Sequence, residues 1–144
     1  MIVDKEGREI RSGVTRYKRF FLRRYSPRSL LVQNYVAAPA TFVRREAIVE
    51  AEGFDERFSC SMDYDLWLRL AEVSDPVVLD EPLTAFRMAG DSLSMTGFER
   101  QFEERVQNAR EHGAGHPAAV AANLIISRLI VLAYRGMRRL PRGG

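Results

Sequence analysis

The sequence predicts a mixed domain of mostly helices and a few short strands, ending in a long amphipathic helix. Three observations lead there. The 144 residues suit a single domain, since domains usually run to about 100 to 200 residues. Apolar positions recur at helical spacing, as with Phe98, Phe102 and Val106, which places them on one face. Extended character is confined to short apolar runs such as Val77-Val78-Leu79 and Leu83 to Met88. With 46% hydrophobic and 28% charged residues and only 10 Gly and 6 Pro, the composition is globular, neither disordered nor collagenous.

Taken in order, Asp4-Lys-Glu-Gly7 reads as a tight turn between short extended pieces. Thr15 to Tyr25 reads as a basic helix, and Ser26-Pro27 as the N-cap and first position of the next. Pro39 makes Ala37 to Val43 an irregular or edge strand, because proline cannot donate to a ladder. Arg44 to Ala51 returns to helix until Gly53-Phe54-Asp55-Glu56 breaks it, and Ser61 is the predicted N-cap of a helix from Met62 to Val73. The runs at 77–79 and 83–88 are separated by Asp80-Glu81-Pro82 and form a hairpin or pass one another, the second ending at Gly90-Asp91. Gly97 to His112 is helical, Gly113 to Pro117 a break, and Ala118 to Leu140 the final helix. That helix carries a polar stripe, Asn123, Ser127, Arg128, Arg135, Arg138 and Arg139, opposite a broad Ile/Leu face, which either packs on the core or a subunit or lies on an anionic bilayer surface. The division is therefore 1–112 for the domain proper and 113–144 for linker and terminal helix.

The formal net charge is only +3, but it is unevenly spread. Residues 5–28 hold nine basic groups against Glu6 and Glu9, while Glu46 to Glu81 is acidic. One cysteine, Cys60, excludes an intramolecular disulfide, a zinc cluster and a CxxC pair, and makes a reducing compartment the default. The start lacks the apolar core of a signal peptide, and no stretch reaches roughly 18 uninterrupted apolar residues. A soluble or peripheral protein is expected.

The densest chemistry lies in Asp63-Tyr-Asp-Leu-Trp-Leu-Arg69. On a helix, residues four apart share a face, so Asp63 sits with Trp67 and Asp65 with Arg69. The second pair is an ordinary helix-stabilising couple. Asp63 either complements the positive helix N-terminus, with Trp67 filling the core, or serves as a proton acceptor beside a flat apolar platform, as a sugar site requires. Asp63-Tyr-Asp65 also spells a DxD, but two carboxylates roughly 200° apart around a helix do not converge on one ion. Arg87, followed by a glycine turn with Ser92 and Ser94, offers guanidinium and amide donors to phosphate oxygens, or pairs with a local acid. Tyr17, Phe20, Phe21 and Tyr25 interleave the basic helix, as in a nucleic-acid track, or form its buried stripe. His112 and His116 lack the further ligands that a metal site needs.

In order, Asn34-Tyr-Val-Ala-Ala-Pro-Ala-Thr-Phe-Val-Arg-Arg45, Gly53-Phe-Asp-Glu56, Asp63-Tyr-Asp-Leu-Trp-Leu-Arg69, Glu81-Pro-Leu-Thr-Ala-Phe-Arg87 and Ser92-Leu-Ser94 resemble the second half of family 2 glycosyltransferases. The resemblance covers roughly residues 4 to 95. It implies a partial GT-A fold, the Rossmann-like α/β architecture of nucleotide-diphospho-sugar transferases, of which this chain is the acceptor-side half. It implies that Asp63 is the general base of an inverting transfer, that Trp67 borders the acceptor, and that Arg87 and Ser92 lie near the donor diphosphate. Met62 stands where the family has a glutamate, and Ala89 where it often has a histidine. The family's nucleotide pocket and metal-binding DXD have no counterpart here.

By resemblance, then, the expected partners are a nucleotide-sugar donor, a glycan or lipid-linked acceptor and a divalent cation, Mn or Mg, for which the chain shows no ligand set. The expected setting is polysaccharide biosynthesis in the cytoplasm or at the inner membrane face. Since glycosyl transfer requires the leaving diphosphate to be held, a chain lacking that cradle is expected to act with a partner chain or as a homo-oligomer. Two other classes stand beside this one: a non-catalytic interaction or membrane-surface module built on the same half-domain, and, ranked last, a basic nucleic-acid binder using residues 8–28.

Overall fold

A computed structural model describes residues 1–87 and 97–139. The elements are β1 (Ile2–Val3), α1 (Ser12–Leu22), α2 (Pro27–Val32), a 3-10 turn (Ala38–Ala40), α3 (Arg45–Glu50), α4 (Met62–Val73), β2 (Phe86–Arg87), α5 (Phe98–His112) and α6 (Pro117–Arg139). The described chain is thus helix-rich with two short strands, a mixed α/β composition.

Local chemistry explains several boundaries. Ser26 caps α2 reciprocally with Ser29: each side chain accepts the other's backbone N–H at 3.1 Å, and Pro27 occupies the first turn, where no N–H is needed. Helix α3 ends in a Schellman arrangement, with Gly53 N–H on the Ile48 carbonyl at 2.8 Å and Glu52 N–H on that of Val49 at 3.0 Å. Glu52 takes the left-handed position, φ 60°, ahead of Gly53 at φ 70°. In the Asp4 to Gly7 turn, Gly7 N–H reaches the Asp4 carbonyl at 3.2 Å.

Three expectations are corrected. Ala37 to Val43 is not a strand: Ala40 N–H bonds the Ala37 carbonyl at 2.8 Å, and Pro39, which lacks a donor, fits the start of a 3-10 turn better than a ladder. Of the two arrangements expected for the runs at 77–79 and 83–88, the hairpin does not form among the described residues. β2 instead pairs in parallel with β1, Ile2 against Phe86 and Val3 against Arg87, and no strand is assigned to Val77 through Leu79. The predicted end of the second run at Gly90-Asp91 lies outside the described residues. Ser61 precedes α4 as expected, yet its hydroxyl caps nothing; α5 has claimed it, through Asn108 Nδ2 at 2.9 Å and Glu104 Oε2 at 3.4 Å.

The core joins α2, α4 and α6. Leu30, Tyr35, Tyr64 and Leu66 are at most 1% exposed, with Leu31, Leu68 and Ala119 beside them. At its centre lie the last carbonyls of α2, which no residue of a six-residue helix can reach. Three other helices satisfy them. Tyr64 of α4 donates its hydroxyl to the Leu30 carbonyl at 2.8 Å, Asn123 of α6 donates to Leu31 at 2.7 Å, and Arg105 of α5 to Val32 at 3.1 Å.

This requirement determines how α6 sits. Asn123 and Ser127, part of its polar stripe, are buried at 0% and 2% exposure, whereas Ile125, Leu129 and Leu132 are 57%, 60% and 61% exposed. The helix is docked by its hydrogen-bonding side, with much of its aliphatic face outward. Packing of that face on the core, one of the two sequence readings, does not occur within the chain for these three residues.

Candidate functional site

The first turn of α4 carries Asp63, half-buried, with its Oδ1 accepting the Tyr64 N–H at 2.8 Å. Burial raises its pKa above the usual carboxylate range, opposed by that amide bond and by the positive charge of Lys18. Lys18, from α1, is affected in the opposite sense: burial lowers its pKa, the Asp63 carboxylate offsets part of this, and Arg105 adds to it. Carboxylic acid and amine are therefore drawn toward each other's titration range. Arg105 is 5% exposed and bonds Gln33 Oε1 at 2.7 Å as well as the Val32 carbonyl. Burial lowers its pKa too.

The loop leading into α4 is held from α5. Glu104, 7% exposed, accepts Cys60 N–H at 2.7 Å, Ser59 N–H at 3.2 Å and the Arg100 guanidinium at 2.8 Å. Asn108 donates to the Ser61 hydroxyl and carbonyl at 2.9 and 3.2 Å. Asp63 thus projects from a helix start fixed by a neighbouring helix rather than by a local cap. None of Lys18, Arg105, Glu104 and Asn108 was singled out from sequence as a site residue. Lys18 was legible only as one charge in a basic run, and the others lie on a helix whose apolar spacing alone was informative.

Trp67, one turn after Asp63, is 8% exposed and belongs to the core cluster; its indole Nε1 is buried with no hydrogen-bond partner. Asp65 points elsewhere. It is 2% exposed, bound by Arg69 at 2.6 Å and by His112 Nε2 at 2.8 Å. Arg69 in turn donates to the carbonyls of Ala51 and, at 2.7 Å, of Gly53, so the pair fastens the end of α3 to α4. The two carboxylates of the DxD accordingly do different things. Beside Asp65 a cleft of about 420 Å³ opens, in which Arg57 is paired with Asp55 and Glu111, and Asp65 with Arg69 and His112.

Arg87 lies on β2, exposed and with no ion pair among the described residues. No hydrogen bond or ion pair joins Arg87 to Asp63, and Ser92 and Ser94 lie outside the described residues. No group of three or more His, Cys, Asp or Glu among the described residues is placed to hold a metal ion. The described residues therefore do not fit a divalent cation.

No protein-family model matches this chain, no curated protein matches it, and no solved structure matches it.

Proposed function

We propose that the chain is the acceptor-side part of an inverting glycosyltransferase of family 2 type, in which Asp63 is the general base. The observation that carries this reading is the environment of Asp63: a half-buried carboxylate whose pKa burial raises, at the start of a helix held from α5 and within the field of Lys18. A carboxylate with a raised pKa is a stronger base, and Lys18 favours its ionised form before the acceptor arrives. In the reaction the acceptor hydroxyl gives its proton to Asp63, its oxygen forms the bond to the anomeric carbon, and the nucleoside diphosphate leaves with the electron pair of the broken bond. Trp67 contributes as a wall behind Asp63 rather than as an open stacking surface, given its burial. Arg87 and Ser92 are the candidates for the diphosphate side.

In this reading a further polypeptide segment or partner chain holds the nucleotide of the donor beside Asp63. The test titrates the chain with nucleoside diphosphates and nucleotide sugars, with and without Mn²⁺ or Mg²⁺, and assays transfer in wild type and Asp63→Asn. Loss of the base is expected to lower transfer by roughly 10² to 10⁴-fold. Transfer that survives unchanged in Asp63→Asn refutes the assignment.

A second reading, contact with an anionic membrane surface, is favoured by α6. Among the described residues, Pro117–Gly136 is long and apolar enough to cross a membrane, with mean hydropathy 1.7, yet only 17% of that window is buried. The hydrogen bonds of Asn123 tie the helix to the body, and the outward Ile125, Leu129 and Leu132 suit the acyl boundary of a bilayer. Co-flotation with anionic vesicles that is lost in Leu129→Ser/Leu132→Ser supports this reading, and flotation that is retained refutes it.

A further inference from the structure

Helix α1 and the two residues after it carry a stripe that neither reading uses. Arg16, Arg19, Phe20, Arg23 and Arg24 fall at i, i+3, i+4, i+7 and i+8, hence on one face, and they line a cleft of about 310 Å³. Phe20 is 51% exposed, and the Arg24 guanidinium carbon lies 4.1 Å from its ring centroid. Two of the arginines are held in place by the segment beyond α4. Arg19 Nη2 donates to the Asp80 carbonyl at 2.8 Å, and Arg23 Nε donates to Asp80 Oδ1 at 2.8 Å. Arg16 and Arg24 have no carboxylate partner among the described residues, so four cations face one anion.

Cations at a helix C-terminus complement its dipole, which accounts in part for Arg19, Arg23 and Arg24. It does not account for Arg16, a full turn and more from that end, nor for the anchoring by Asp80. Each guanidinium holds five N–H donors in a planar fork that matches the oxygens of a phosphate, and Asp80 uses only one donor from each of the two it binds. Lysine-rich solvated faces lack this fixed geometry.

We propose that this cleft binds a phosphomonoester or diphosphate group, with Arg16 and Arg24 as its free donors and Arg19 and Arg23 positioned by Asp80. The site stands apart from Asp63 and does not depend on the transferase reading. A soluble diphosphate and a phospholipid headgroup present the same chemistry, and the experiment separates them.

The full chain is titrated calorimetrically with inorganic pyrophosphate at two salt concentrations, and floated with phosphatidylcholine vesicles with and without phosphatidic acid. Wild type is compared with Arg16→Gln/Arg24→Gln and with Arg44→Gln/Arg45→Gln, a control pair of exposed arginines that removes the same charge elsewhere. Circular dichroism verifies that each variant is folded. The expected result is saturable binding in wild type and control, weakened at least tenfold in the cleft variant. Pyrophosphate binding with that pattern identifies a soluble ligand; vesicle binding alone with that pattern identifies the headgroup. Equal losses in cleft and control variants would reduce the effect to net charge and overturn the proposal, as would binding to duplex RNA with none to either phosphate probe.

Discussion

Asn123→Ala tests the orientation of α6 directly. The variant removes the bond to the Leu31 carbonyl at 2.7 Å, a longer one to the Tyr64 hydroxyl at 3.3 Å, and the acceptor of the Ser127 hydroxyl at 3.1 Å. At about 1 kcal/mol net for each of the two shorter bonds, plus roughly 1 kcal/mol for a buried hydroxyl left without its acceptor, the cost is about 3 kcal/mol. The Leu31 carbonyl keeps the Tyr64 hydroxyl at 3.1 Å, which bounds the loss. For a chain of this length that corresponds to a fall in melting temperature of roughly 10 °C. Leu129→Ser, at a position 60% exposed, is expected to change stability by no more than about 0.5 kcal/mol. A helix docked by its aliphatic face would reverse the order, with Leu129→Ser costing several times more. Urea unfolding followed by circular dichroism at pH 7 measures both, and a larger loss for Leu129→Ser than for Asn123→Ala would refute the reasoning.

Three further outcomes are expected. Burial raises the Asp63 pKa, so the folded state binds its proton more tightly than the unfolded chain; the contribution is present below about pH 4, the ordinary carboxylate range, and is lost as pH rises through the folded value. Asp63→Asn is therefore more stable than wild type at pH 7, and unfolding midpoints from pH 3 to 8 should show the difference closing on the acid side. Glu104 runs the other way: burial works against its charge, but the bonds from Cys60 N–H, Arg100 and Ser59 outweigh it and lower the pKa. Its contribution is present above the ordinary carboxylate range and lost as pH falls through the folded value, so Glu104→Gln should cost about 1 to 3 kcal/mol at pH 7 and far less near pH 3. Gly113→Ala places a Cβ against Val120 Cγ2 and the Ala109 carbonyl, whereas Gly115→Ala enters open space; the first should lose about 1 to 3 kcal/mol in thermal unfolding and the second stay near wild type.

Much of the local structure was legible because its causes are local. Ser26-Pro27 announced the start of α2, and the span Met62–Val73 emerged as predicted. The pairing of Asp65 with Arg69 followed from i,i+4 geometry and holds at 2.6 Å. Asp63 could be named from its motif, yet Lys18, whose charge acts on it, lies 45 positions earlier in the chain, and nothing in a linear pattern marks which charge of a basic helix turns inward. Ser61 was read as a cap because that is its strongest local option, and a carboxylate and an amide from α5 displaced it.

What the sequence determined alone was the set of helices, the asymmetry of charge and the aspartate at the head of α4, since propensity, capping and spacing act within a few residues. The tertiary structure decided which faces meet. The orphaned carbonyls of α2 draw in Tyr64, Arg105 and Asn123 from three distant helices, and the cost of a buried polar group left unsatisfied is set against that of leaving leucines exposed. That balance is struck between groups as many as 92 residues apart, and so α6 turned Asn123 and Ser127 inward while Arg128 and Arg135 stayed exposed.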